Sequence, residues 1–226
     1  MTSLGTLTTR ARQALGDADG SRYCSELLTE AVRQALSEYS RAYPQVCTAE
    51  LVLTTAGREQ DLSMLEGLLG VLQVIYPHQP PFGGAPRPAA SGQAAHHKYY
   101  HYGLAGAARL HLGGGRVPQA GDQMRVDYAA YHQLEGLDGK TSSSVRPDHT
   151  ALLVIGVAGH AAMMRSARIT EAQGSRSADS KALWLLGKGK LEEFRSRLRE
   201  LRKETTPPGA HAGWHGSGWR LDRWDR

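Results

Sequence analysis

The chain has 226 residues, 40% of them hydrophobic, and a net charge of +5, which fits one large domain, or a domain with an insertion, around an aliphatic core. Its two cysteines, Cys24 and Cys47, stand apart, and no secretory leader opens the sequence, so we expect reduced thiols rather than a disulfide. No apolar run approaches the roughly 20 residues of a membrane helix, so we expect no membrane span.

The first half begins with two predicted helices. Residues 4–15 predict a short helix with Thr6 or Thr8 as its N-cap. Apolar residues at helical spacing predict an amphipathic helix from Ser25 to about Ala42. Pro44 ends it, because the residue before a proline disfavours the helical conformation.

The hydrophobic period then changes from 3.6 to 2, which predicts a series of strands. The predicted extended segments are residues 50–54, a piece that begins at 61, and 71–76, 98–102, 109–112 and 123–131. A loop rich in Pro and Gly occupies residues 77–95. We interpret Gly113-Gly114-Gly115 as a hairpin turn, because it lacks the Lys-Ser/Thr of a phosphate-binding loop.

The second half returns to helical patterns. The segment 136–139, Gly-Leu-Asp-Gly, is interpreted as a turn, and Pro147 predicts the start of a helix that runs to about Gln173. Its Gly and Ala residues would let another helix approach closely. A last helix is predicted over residues 180–204. Its apolar side chains are Leu183, Trp184, Leu191, Phe194, Leu198 and Leu201.

No pattern of catalytic residues stands out. His96, His97 and His101 come nearest to a metal cluster, but His97 and His101 would lie about 13 Å apart on one side of a strand. His149 and His160 are eleven residues apart on one helix, which is also the wrong spacing for a shared ion. The sequence has no GxSxG and no HExxH motif. We therefore expect a protein that is not an enzyme, with no catalytic residues, no cofactor and no metal.

The C-terminal segment combines Trp with Arg. From Arg176 onward there are 12 Lys and Arg against 7 Asp and Glu, so the basic excess lies in this part of the chain. Trp and Arg are the residues most enriched among interface anchors, which predicts docking into a groove on a partner. Base stacking on nucleic acid is the alternative, which Asp222 and Asp225 disfavour because they would weaken phosphate contacts. The predicted partner-binding residues are Trp214, Trp219, Arg220, Arg223 and Trp224.

Two parts of the sequence together resemble a known family. The segment 27–40, LLTEAVRQALSEYS, followed by Tyr43-Pro44, the alternating strand and 72–77, resembles the opening of the head–tail adaptor proteins of tailed bacteriophages, also called head-completion or neck proteins. The segment 128–149, with its GLDG turn, and the Ala- and Gly-rich helix after it are similar to the second half of that family. The resemblance spans about residues 25–173 and rests on element order and short phrases.

The resemblance implies an α+β, mainly α fold: a helical bundle core with an inserted β-rich subdomain and an extended C-terminal tail. The implied divisions are residues 1–47 for the N-terminal helices, 48–145 for the β-rich subdomain with its Pro-rich loop at 77–95, 146–204 for the C-terminal helices and 205–226 for the tail.

The resemblance also implies a structural function. Twelve copies would form a ring under the portal protein in the virion neck, assembled in the host cytoplasm, with genomic DNA passing through the channel and a tail or nozzle protein below. Residues 205–226 would dock into the portal. Two alternatives stay open: a DNA-binding protein that uses the basic last helix and tail, or another neck or tail component, such as a stopper or tail terminator.

Overall fold

The computed structural model describes residues 2–78, 97–102, 107–113, 117–173 and 178–205. These residues form four α-helices and six strands, and the fold is α+β and mainly α, as predicted. The chain divides into two compact units. We call residues 2–45 and 131–205 the helical unit and residues 46–130 the β unit, each within its described residues.

The helices of the helical unit are α1 (Leu4–Ala14), α2 (Ser25–Ala42), α3 (Thr150–Gln173) and α4 (Ala178–Thr205). The predicted bounds of α2 are confirmed. The predicted caps of α1 are wrong, because Thr6 and Thr8 lie inside the helix. Ser3 is the N-cap, and its Oγ accepts a hydrogen bond from the Thr6 N–H at 3.2 Å. The Thr8 hydroxyl donates instead to the Leu4 carbonyl at 2.9 Å.

Helix α3 is the central element of the helical unit, since α1, α2 and α4 all pack against it. A 3₁₀ turn at Pro147–His149 leads into it. Glycines let α4 approach closely: a Cβ on Gly159 would lie 2.8 Å from Leu191 Cγ, and one on Gly187 would lie 2.8 Å from Met163 Cγ. The predicted close approach of another helix is confirmed, and that helix belongs to the same chain.

By length and composition alone, residues 147–172 are able to cross a membrane, contrary to the sequence-based expectation. More than half of their most apolar window is buried within the chain. The helices that pack around α3 provide that cover, which is the environment of a core helix.

Residues 131–145 belong to the helical unit and not to the β-rich subdomain, where the sequence analysis placed them. Their apolar side chains Leu134, Leu137 and Val145 are buried in the same core as α1, α2 and α3. The segment has no regular hydrophobic period, so the sequence contains no local signal that ties it to the helices, and the division implied by the resemblance left it with the β-rich subdomain.

The strands of the β unit are β1 (Gln45–Val52), β2 (Glu59–Asp61), β3 (Leu68–Ile75), β4 (His97–Tyr102), β5 (Ala107–Leu112) and β6 (Gln123–Ala130). They form two three-stranded sheets with the orders β1-β6-β3 and β2-β5-β4. Side chains from both sheets, among them Leu110 of β5 and Met124 and Val126 of β6, share one buried cluster. Of the predicted hairpin turn at Gly113-Gly114-Gly115, Gly114 and Gly115 lie outside the described residues. The strands that come before and after it, β5 and β6, belong to different sheets.

Candidate functional site

The five predicted partner-binding residues lie outside the described part of the chain. They are Trp214, Trp219, Arg220, Arg223 and Trp224. The described residues contain two further kinds of feature: exposed apolar side chains, which another surface could cover, and polar clusters, whose members contact one another within the fold.

The most conspicuous surface feature is a run of three apolar side chains near the start of α4. Trp184 is 43% exposed, Leu185 54% and Leu186 42%. We call these three residues the α4 apolar patch. The ammonium of Lys188 lies 5.3 Å from the centre of the Trp184 ring, a cation–π contact that leaves the two leucines uncovered.

Helical geometry explains why the patch is exposed. Consecutive residues of a helix point about 100° apart, so three in a row cannot all face one neighbour. Three other apolar side chains of α4, Leu191, Phe194 and Leu198, are buried. Trp184, which the sequence places among the same apolar side chains of the helix, is instead exposed to solvent.

The β unit has exposed apolar side chains of its own. Val46 is 67% exposed and Val52 57%, and both belong to β1, a strand at the edge of its sheet. We call these two residues the β1 apolar pair. Exposed and less exposed residues alternate along β1, as expected for a strand with one free face. On the exposed face the Thr48 hydroxyl donates to Asp127 at 2.6 Å.

A charged cluster joins three helices of the helical unit. Arg195 of α4 donates from Nε and Nη2 to the two carboxylate oxygens of Glu38, each at 2.9 Å. The Nε2 atom of the buried His160 of α3 lies 3.1 Å from Glu38 Oε1. Burial alone would raise the pKa of Glu38, but Arg195 and His160 outweigh it and lower the pKa to about 2. The charges neutralise one another, so the cluster stabilises the bundle.

A second polar cluster fixes residues 131–149 to α2. His132 Nε2 donates to the Tyr43 carbonyl at 2.8 Å, and Nδ1 lies 3.0 Å from the Ser144 hydroxyl. Burial lowers the pKa of His132, which favours the neutral ring. His149 Nδ1 is held 2.7 Å from the Tyr39 hydroxyl. Both ring nitrogens of His132 and the Nδ1 atom of His149 therefore have hydrogen-bond partners within the fold.

The predicted absence of metal chemistry stays a prediction. His96 lies outside the described residues, and His97 and His101 lie on β4. His149 and His160 contact different partners, Tyr39 and Glu38. Within the described ranges, no three His, Cys, Asp or Glu side chains form a group that could hold a metal ion.

Comparison with models of known protein families finds no match, and comparison with curated protein sequences finds none either. The resemblance to phage adaptors therefore rests on the phrases and element order of the sequence. Any functional assignment depends on that resemblance together with the geometry above.

Proposed function

We propose that the chain is a structural head–tail adaptor of a tailed phage, a subunit of a ring under the portal. The α4 apolar patch carries the proposal. The patch consists of three consecutive large apolar side chains in contact with water, and covering them with another surface lowers the free energy. Exposed apolar patches of this kind mark interaction sites. We assign a second copy of the chain as the occupant.

Ring closure requires two unlike surfaces on each subunit, because a head-to-tail contact joins one face of a copy to a different face of the next. The chain exposes apolar side chains on two different units, the α4 apolar patch on one and the β1 apolar pair on the other. The small residues of α3 predict the close approach of another helix, which made α3 a candidate for one of these surfaces. Helix α3 is covered by α4 of the same chain, so α4 takes its place in the proposal.

The element order also supports the proposal. A helical unit interrupted by a β unit is what the adaptor resemblance implies. The charged and polar clusters around Glu38 and His132 hold elements of the fold together, which suits a structural role. The proposal assigns the chain no catalytic step, cofactor or metal. It places the chain in the virion neck, with the portal above, a tail or nozzle protein below and genomic DNA in the channel.

The main alternative is a DNA-binding protein that uses α4 and the tail. Several cations of α4 are already paired, which weakens this alternative: Arg197 lies 2.6 Å from Glu193, and Lys188 lies 3.8 Å from Glu192. A salt titration separates the two, because binding through phosphates falls steeply as salt rises. No DNA binding at low salt would exclude the alternative.

Co-expression with the portal protein of the same phage, followed by negative-stain imaging, tests the proposal. We expect a ring of copies bound coaxially to one end of the portal. A full-length chain that leaves portal rings bare under these conditions would contradict the adaptor assignment. Rings that form without binding the portal would likewise contradict the adaptor assignment and would favour the stopper or terminator alternative.

A truncation tests the portal-docking role of the tail. Removing residues 206–226 takes away the predicted anchors and leaves every described helix and strand in place. We expect unchanged thermal unfolding and loss of portal binding. Portal affinity equal to that of the full chain would contradict the role assigned to Trp214, Trp219 and Trp224.

A further inference from the structure

A shallow groove of about 370 Å³ lies in the helical unit, between the loop that precedes α2 and the C-terminal half of α3. We call it the arginine groove. Three arginines, Arg22, Arg165 and Arg168, line it together with Cys24. The adaptor proposal uses none of these residues, and the groove does not include the α4 apolar patch.

None of the three arginines forms a direct ion pair among the described residues, although Arg168 is close enough to Glu26 to interact with it electrostatically. In the part of the chain that the structure describes, no carboxylate oxygen lies within 4 Å of any of their guanidinium nitrogens. Arg165 donates to the Arg22 carbonyl and lies 4.9 Å over the centre of the Tyr23 ring, while Arg168 Nη1 lies 3.5 Å from Cys24 Sγ. Other arginines of this unit do have carboxylate partners, in the pairs Arg33–Asp138, Arg146–Asp148 and Arg195–Glu38.

The loop beside the groove is fixed before any ligand arrives. The buried carboxylate of Asp17 accepts hydrogen bonds from the backbone N–H groups of Arg22 and Tyr23, both at 2.9 Å. Arg165 is held by the carbonyl and the ring described above, so it loses little freedom when a ligand binds. A site with this much order pays a smaller entropic cost on binding than three free surface side chains would.

Charge favours an anion in the groove. Helix α2 begins there, and its N-cap residue Cys24 makes no capping hydrogen bond with its side chain. The amino end of a helix carries a partial positive charge, which adds to that of the arginines. Three carboxylates lie near the groove: Asp17 and Asp19 accept hydrogen bonds from the loop, and Glu26 lies in the first turn of α2. None of the three lines the groove, where the charged side chains among the described residues are the three arginines.

We propose that the arginine groove binds a phosphate group, either free or in a nucleic-acid backbone. Guanidinium groups are planar and present several N–H donors, which match the oxygens of a phosphate in pairs. The groove has room for a phosphate and part of the group attached to it. This binding is independent of ring formation, so the two proposals succeed or fail separately.

Cys24 supplies the readout, because it is exposed and lines the groove, while Cys47 of the β unit is an internal reference. The full chain is alkylated with iodoacetamide, and modification of each cysteine is followed by peptide mass spectrometry. The probes are inorganic phosphate, a short DNA oligonucleotide, and sodium acetate or sodium chloride at matched ionic strength. We expect phosphate or the oligonucleotide to slow alkylation of Cys24 and to leave Cys47 unchanged.

Arginine variants make the test specific. Arg168→Gln removes an exposed guanidinium, and we expect it to raise the probe concentration for half-protection about tenfold, as for loss of one charged hydrogen-bond donor. Arg10→Gln, on the exposed face of α1, is the charge-matched control and leaves protection unchanged. Rates with and without probe are compared within each variant, because Arg168 itself contacts Cys24. Arg22→Gln is a second variant, and thermal melting verifies that each one is folded.

The outcomes separate the possible sources of phosphate. Protection by inorganic phosphate alone supports a free phosphate ligand, and protection by the oligonucleotide alone supports a nucleic-acid backbone. Protection by both probes supports recognition of the phosphate group itself, whether it is free or part of a nucleic-acid backbone. Equal Cys24 rates with every probe, protection by acetate as strong as by phosphate, or protection that survives both arginine substitutions would overturn the proposal.

Discussion

Helix α4 is divided here at residue 190 into an N-terminal and a C-terminal half, which contain similar amounts of apolar side chain and use them differently. In the C-terminal half, Leu191, Phe194 and Leu198 are spaced three or four residues apart and are buried against the core. The N-terminal half packs on α3 through small residues, Ser180 and Gly187, and leaves its large apolar side chains outside. Apolar residues spaced three or four apart thus pack into the core of the chain, whereas consecutive apolar residues remain exposed and are available to contact another surface.

Removing the Phe194 side chain tests the buried half and has the largest expected effect. Phe194 is fully buried, and its ring lies against α3 where Gly156 leaves room. We expect Phe194→Ala to lower the free energy of unfolding by about 3 to 5 kcal/mol. Urea denaturation of wild type and variant in the absence of the portal protein measures it. A loss below about 1 kcal/mol would remove the contrast between the two halves.

The charge cluster of the C-terminal half predicts a pH dependence. The pKa of Glu38 is about 2 in the fold, against an ordinary value of 4.5, so the fold favours its ionised form. Its stabilisation is complete above pH 4.5 and is lost as the pH falls towards 2. We expect Glu38→Gln to cost about 2 to 3 kcal/mol at pH 7.

Urea denaturation of both chains between pH 7 and pH 3 checks this dependence. The stability difference between wild type and Glu38→Gln should shrink as the pH falls below 4.5. His132 acts in the same direction at higher pH: burial lowers its pKa, so the chain should lose stability on acidification through the ordinary range of histidine. A difference in unfolding free energy between wild type and Glu38→Gln that stays constant with pH would contradict the stabilising role assigned to the ionised Glu38.

Two glycines of α4 provide a matched pair. A Cβ on Gly187 would lie 2.8 Å from Met163 Cγ and 2.9 Å from the Gly159 carbonyl oxygen, whereas a Cβ on Gly189 meets nothing within 4 Å. We expect Gly187→Ala to destabilise by about 1 to 3 kcal/mol through overpacking. Gly189→Ala should stabilise by about 0.5 to 1 kcal/mol through helix propensity. Thermal unfolding of both variants measures the signs, and equal signs would exclude close packing at Gly187.

Periodicity predicted those parts of the fold that follow from spacing alone. It gave α2 from Ser25 to Ala42, because the apolar residues at helical spacing form the one face that this helix buries. It did not give strand partners: β5 and β6 are neighbours in the chain but lie in different sheets, and pairing depends on contacts that are distant in sequence. Ser3 was missed as a cap because any of several hydroxyls near residue 4 fits the same rule.

The candidate surfaces were harder to predict from the sequence. Leu185 and Leu186 look like core residues by composition, and only their position relative to α3 shows that they are exposed. The arginine groove unites residues far apart in the chain, since Arg22 and Arg165 are separated by 143 positions. No local pattern brings them together.

The assembly state of a patch variant tests the central claim most directly. Leu185→Gln combined with Leu186→Gln replaces two exposed side chains, so we expect a change in unfolding free energy within about 0.5 kcal/mol. Met64→Gln, an exposed apolar residue outside both apolar surfaces, is the matched control. Mass photometry of the wild type and both variants, at one concentration and in the presence of the portal protein, gives the number of copies bound. We predict full rings for the wild type and Met64→Gln and none for the double variant. Rings of equal occupancy in all three would contradict an assembly role for the α4 apolar patch.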